Sequence, residues 1–247
     1  MDKPRLPFRV IFFLFLFFAG SMYAAETPAL RSPEASAAIQ RIAEAYGFSH
    51  FKEVEAIRFT FNAKLNAART MNRSWVWEPK TDRVTCDWKT LRIIPHRRAY
   101  LRSSMNPDDI AVDKWFINDR FWLMFPYQLV WDGMSQITLH GIDPLPIPPG
   151  RAHHLTVTYP KTGGGYTPGD AYEAFYGDDY LLKQWIYRKG ASEKPTLINT
   201  WEGYHHVGPL TLSLDHKNAS GSFRLTFTDV AVKLMGDTAW HPAEPTR

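Results

Sequence analysis

Most of what would assign a chemistry is missing from this sequence. It holds one cysteine, Cys86, in 247 residues. A single cysteine makes no internal disulfide, so stability must come from packing. Cys86 also lies far from the N-terminus, which excludes it as a lipid-modified residue next to a leader segment. It reads as a half-buried thiol on a strand, with no neighbouring base to activate it. The lysines and arginines are scattered, and no basic block of the kind nucleic acid requires is present. No Gly-x-Ser-x-Gly elbow or phosphate loop occurs. Gly163-Gly164-Gly165 lacks the Gly-Lys-Ser/Thr ending and leads toward a strand. The paired histidines His153-His154 and His205-His206 put only one side chain of each pair on a given strand face. No zinc-ligand spacing is found. Catalytic, metal and cofactor assignments therefore all read as none.

The long apolar runs are confined to one place. Lys3, Arg5 and Arg9 precede an unbroken apolar stretch from Val10 to Phe18, and small residues follow from Ala19 to Ala25. This is the pattern of a secretory signal, too short for a membrane span of about 20 residues. Residues 1–24 are expected to be removed after Ala24, or after Ser21 as a fallback. The formal charge of +4 then falls to +2 (4 − 2), because the segment carries three basic residues and Asp2. The expected location is outside the cytosol: periplasmic in a Gram-negative host, or secreted.

What remains is rich in aromatics, at 15% with nine Trp. Ser32-Pro33-Glu34 supplies a helix start, with Ser32 as N-cap. Apolar residues at helical spacing follow to Ala45, and Gly47 marks the stop. The period then changes to two. Ile57, Phe59, Phe61 and Ala63 alternate with Arg58, Thr60, Asn62 and Lys64, and Trp75 and Trp77 follow the same alternation. Further strands are expected at 83–88, 90–94, around 155–159, and at 171–176, 181–189, 197–204, 210–215 and 223–234. The phase shift at Thr228-Asp229 predicts a bulge. Between the two groups, Asn106-Pro107 opens an aromatic segment running to Trp131, expected as one or two short helices pressed on the sheet. Residues after Leu234 are expected to form a loose tail, with 237–247 flexible.

The fold class expected is mainly β (α+β). A single curved antiparallel sheet of roughly nine to eleven strands forms an incomplete barrel across 25–236. An N-terminal helix and a central helical insert lie on its concave side. Wide flat side chains on such a sheet either pack as an ordinary solid core or enclose a cavity for an apolar ligand. The residues expected there are Phe59, Phe61, Trp75, Trp77, Trp122, Phe125, Trp131, Trp185, Tyr187 and Trp201, with Arg58 and Arg73 as polar groups. A competing reading is an envelope hydrolase using Asp170, Glu173, His154, His205 and Glu202. A third is a structural or interaction protein of the cell envelope.

Four segments carry a family resemblance: Phe59-Thr60-Phe61-Asn62, Arg73 to Lys80 (RSWVWEPK), Phe125 to Asp132 (FPYQLVWD) and Gly163 to Asp170 (GGGYTPGD). With the leader, the leading helix and the helical insert, they make the chain resemble an uncharacterised exported group related to the periplasmic lipoprotein-carrier (LolA/LolB-like) superfamily. The resemblance implies a half-barrel with an apolar concave side, binding lipid or acyl chains without covalent chemistry. The partner expected is an apolar small molecule or lipid, or a lipoprotein or other envelope protein; no nucleic acid is expected, and the chain is expected to be a monomer. In the carriers an arginine on an early strand helps hold the closed state. Arg58 and Arg73 are the two residues that could occupy that place.

Overall fold

The computed structural model describes residues 31–66, 69–88, 90–94, 105–162 and 166–246. The leader (1–24) and Gly163-Gly164-Gly165 lie outside the described residues. Helix α1 (Pro33–Ala45) starts where the sequence places it: Ser32 Oγ accepts the Ala35 amide at 3.1 Å. Its apolar stripe, Ala35, Ile39, Ile42 and Ala43, is buried. Beyond Tyr46, Gly47 takes φ +84°, and an added Cβ would meet the Pro209 carbonyl oxygen at 2.4 Å. Only glycine satisfies both the left-handed turn and the close approach.

A short 3-10 turn leads into a meander of β1 (Val54–Asn66), β2 (Arg69–Glu78), β3 (Arg83–Trp88) and β4 (Thr90–Ile94). On β1, Ile57, Phe59, Phe61 and Ala63 are buried, while Arg58 and Lys64 are exposed. Helix α2 (Pro107–Trp131) then runs for 25 residues, capped by Asn106, whose Oδ1 accepts the Asp109 amide at 2.9 Å. The insert is thus longer than expected, two helical segments joined across a kink. It is interrupted at Met124, where the backbone leaves helical values two residues before Pro126. Proline at that position clashes with the preceding turn, and the kink follows.

The second meander is β5 (Gln136–Pro144), β6 (Arg151–Thr158), β7 (Ala171–Tyr176), β8 (Leu182–Arg188) and β9 (Leu197–Thr200). β5 is its outer strand and carries a bulge between Leu139 and Gly141, where Gly141 has φ +90°. After β9 the chain crosses to the first sheet as β10 (Glu202–Val207), β11 (Leu210–Lys217), β12 (Arg224–Leu234) and β13 (His241–Pro245). The strand expected over 197–204 is therefore split at Trp201, one half in each sheet. The seam is closed by His216 Nδ1 donating to the Thr200 carbonyl (3.2 Å) and the Lys217 amide donating to Thr200 Oγ1 (3.2 Å). The result is a mainly β, partly closed barrel.

The bulge expected at Thr228-Asp229 is present. The β1–β12 register slips between Arg58 and Thr60, Asp229 takes φ +53°, and its carboxylate accepts Thr60 Oγ1 at 3.2 Å. The chain end departs from expectation. His241–Pro245 is not a loose tail but strand β13, paired with both β10 and β12 where those strands diverge. The loose end was expected from its place at the chain terminus; β13 is short and, despite Pro242 and Pro245, needs few ladder bonds.

Gly47→Ala is expected to lower stability by roughly 2 kcal/mol or more, from the left-handed backbone and the clash together. Urea denaturation of the two proteins checks it.

Candidate functional site: an apolar cavity under the long helix

Strand alternation sends one set of β1, β2, β8 and β12 side chains toward α2. Where α2 leaves the sheet unfilled there is a cavity of about 340 Å³. Phe61, Ala63, Met71 and Leu225 form its sheet wall, and Ile117, Phe121 and Trp122 of α2 form its roof. Tyr172, Trp185, Tyr187 and Leu197 close the side of the second sheet, with Tyr166 and Thr167 at the rim beside Lys114. The volume falls within the range of small-molecule sites, about 300–1,000 Å³.

Of the residues singled out in the sequence, Phe61, Trp122, Trp185 and Tyr187 line this space. Phe59, Trp75, Trp77, Phe125 and Trp201 are buried in the surrounding core instead. Trp131 packs at the far end of α2 against Phe51 (4.9 Å) and Tyr127 (5.5 Å). Periodicity identifies which residues face inward; it does not say which inward residues meet a neighbour and which meet a gap. Ile117, Phe121 and Leu225 went unnoticed for that reason, although Phe121 and Leu225 stand beside or in register with residues that were noticed.

The two arginines separate. Arg58 is exposed and stacks on Trp240, with its guanidinium 4.9 Å from the ring centre. Arg73 is buried. Its Nε and Nη2 donate to the Asp119 carboxylate of α2 at 2.7 and 2.5 Å, and it lies 5.0 Å from the Phe61 ring centre and 5.7 Å from that of Trp115. Trp75 Nε1 (2.9 Å) and Asn118 Nδ2 (3.0 Å) donate to the same carboxylate. Burial pushes the Asp119 carboxyl above its usual range, and Arg73, Asn118 and Trp75 pull it back. The pair pins the middle of α2 to β2. Nearer the helix start, Tyr166 donates to Asp113 at 2.5 Å, tying the rim loop to α2.

The C-terminal part of α2 is held separately. Tyr127 donates to the Tyr46 carbonyl. Arg31 donates to the carbonyls of Leu129 (2.9 Å) and Ser135 (3.0 Å). Tyr46 in turn closes a hydroxyl relay. The Leu182 amide donates to Tyr46 Oη (3.0 Å), and Tyr204 donates to the Leu182 carbonyl (2.6 Å). Tyr46 is left to donate to Tyr204 (2.7 Å).

The residues proposed for hydrolysis do not converge on the cavity. Asp170 is buried and accepts Tyr187 Oη and the Gly190 amide, both at 2.7 Å. His154 and Glu173 meet at 3.4 Å, but their strand positions put them on the sheet face away from the cavity, where His154 stacks on Phe175. His154 also pairs with Asp143 (2.8 Å) and Glu173 with Arg188 (2.5 Å). Glu202 pairs with Lys217 (2.8 Å), and His205 Nδ1 contacts the Gly203 carbonyl (2.8 Å). Among the described residues no cluster of three His, Cys, Asp or Glu has metal-binding geometry. Cys86 lies opposite Trp75 and is fully buried; burial pushes its thiol up to about 12, which keeps it protonated and inert. Among the described residues no helix is long and apolar enough to cross a membrane.

A partly closed barrel with an apolar cavity roofed by a pinned helix is the class of architecture these observations define. Solved structures similar to this chain include a DUF1329 family protein from Desulfovibrio piger (7% identity, 83% of this chain and 95% of that one, TM-score 0.43). They also include a LolA superfamily protein from Nitrosomonas europaea (8% identity, 83% and 94%, TM-score 0.46). No family model matches the chain, and no curated protein does.

Two outcomes are expected. Asp119→Ala leaves the Arg73 charge buried and uncompensated and should cost about 3–5 kcal/mol, while the double change Arg73→Met with Asp119→Leu recovers most of the loss; thermal denaturation of the three variants tests this. Burial also lowers His216 to about 4 from an unfolded value of 6.5. The unfolded state then binds the extra proton first, so stability is lost as pH falls from about 6.5 to 4, by roughly 3 kcal/mol in all. The decline should flatten in His216→Phe when urea midpoints are compared across that pH range.

Proposed function

We propose that this protein is an exported, non-enzymatic holder of a lipid or other apolar ligand, acting as a carrier or sensor. The observation that carries the reading is the cavity itself: about 340 Å³ walled by aromatic and aliphatic side chains, with Lys114 at the rim. Burial of an alkyl chain there supplies the affinity, at about 25 cal/mol per Å² of apolar surface removed from water. The N-terminal leader pattern supports export, and the resemblance to lipoprotein carriers favours acyl-chain cargo.

The same reading assigns a role to the Arg73–Asp119 pair. The start of α2 and the rim loop roof the cavity, and this pair is the charged attachment between that roof and β2. Access for cargo requires α2 to move away from the sheet on the Arg73 side, while the part beyond the Pro126 kink stays fixed by Tyr127 and Arg31. Breaking the latch makes the open form more accessible at a cost in stability.

The deciding experiment is fluorescence titration of the purified protein with N-phenyl-1-naphthylamine, followed by native mass spectrometry after purification from the cell envelope. Saturable dye binding and a reproducible lipid-sized adduct are expected. Ile117→Trp, which fills the roof, should weaken dye binding at least tenfold without lowering the melting temperature. No dye binding and a clean unliganded mass would sink the reading.

A further inference from the structure

The inner end of the cavity adjoins a group of buried polar atoms that have no partner. Trp185 lines the cavity. Directly across the β8–β9 ladder from it is Asn199, fully buried, with neither Nδ2 nor Oδ1 hydrogen-bonded. Trp201, two residues on and 5.4 Å from the Trp185 ring, has a buried, unpartnered Nε1, as has Trp185 itself. His216 packs 4.5 Å from Trp201 and leaves Nε2 without a partner. Five of the buried unpartnered side-chain atoms thus fall at one place, the seam where the chain passes between the two sheets.

Chance placement of this kind is costly. A buried polar group without a partner loses its hydration and gains nothing in return. An apolar residue at position 199 would avoid that cost, as would Phe at 201. Trp122 separates the group from the open part of the cavity: it lines the cavity, and its ring lies 4.4 Å from Trp185 and 5.5 Å from His216. Trp122 belongs to α2, the helix that must move for cargo to enter.

We infer that the seam is a polar subsite at the inner end of the cavity, reached when Trp122 shifts, which takes the uncharged hydroxyl-bearing head of an amphiphilic ligand. The donor set is Trp185 Nε1, Trp201 Nε1 and Asn199 Nδ2; the acceptors are Asn199 Oδ1 and His216 Nε2. His216 Nδ1 donates to the Thr200 carbonyl, so its other nitrogen accepts. Burial depresses this imidazole to about 4, which keeps it neutral at pH 7. None of the four side chains then offers a charge to a carboxylate or phosphate. A hydroxyl, which donates once and accepts twice, matches the mixed set. The inference rests on the ligand-holding reading above and adds the orientation of the cargo, head inward.

The test is competition against N-phenyl-1-naphthylamine bound to the full chain, using 1-dodecanol, dodecane and dodecanoate at pH 7, in wild type, Asn199→Leu and His216→Phe. Dodecanol affinity should fall about tenfold in each variant, with the dye and dodecane unaffected, and dodecanoate should bind more weakly than dodecanol in wild type. Ligand-free Asn199→Leu should melt at or above the wild-type temperature, because two unpaired atoms are removed. Equal effects on dodecanol and dodecane, or no effect on either, would overturn the subsite while leaving the cavity reading intact. Loss of dye binding in the wild type would remove both.

Discussion

A charge pair held out of water is the constraint on which the arrangement depends. Arg73 lies on a strand whose inward face also carries Met71, Trp75 and Trp77, and Asp119 lies on a helix that buries Phe116 and Trp122. Neither charge is tolerable there alone. Together they fix both the height of α2 above β2 and its rotation, because two guanidinium nitrogens meet two carboxylate oxygens. An all-apolar contact would allow the helix to slide. The cavity exists because this pair and the aromatic contacts around it hold α2 at a set distance while small side chains such as Ala63 leave room beneath.

The second organising element is the passage through Trp201. A continuous strand there would lengthen one sheet. Instead the chain changes sheet within one residue, and His216 and Thr200 close the gap. This bends the surface around α2 and concentrates aromatic rings on its inner side: Trp122 and Trp185 lie 4.4 Å apart, Trp201 and His216 4.5 Å, and His216 and Phe227 6.1 Å, between ring centres. Curvature also arises at the Asp229 bulge between β1 and β12.

Much of this was visible in residue order, and the reasons are local. The N-cap at Ser32, the glycine stop at Gly47, the period-two face of Ile57 to Ala63 and the bulge at Asp229 each depend on neighbours within a few residues. What was not visible depends on distant ones. Alternation sets Arg58 on the polar face of β1 and Arg73 in phase with Trp75 and Trp77, but the carboxylate that makes a buried arginine tolerable, Asp119, lies 46 positions further on. The aromatic segment 107–131 reads as broken because of Asn118-Asp119 and Pro126. In fact Asp119 turns inward to its ion pair, and Pro126 kinks the helix without ending it. The split at Trp201 and the pairing of β13 are tertiary choices that no periodicity encodes.

The bulged outer strand β5 has a bearing on how the protein survives at high concentration. A curved sheet that does not close leaves an edge whose free amides and carbonyls can recruit another chain. On β5, Gly141 breaks the regular spacing, Asp143 places a charge in line, and Pro144 removes a donor at the strand end. Leu139 and Ile142 are exposed beside them, so the strand has the hydrophobic content of an aggregation seed but not its straightness. The irregular backbone acts as a guard against strand-to-strand polymerisation, so the barrel can stay incompletely closed without its edge becoming a nucleus for fibres.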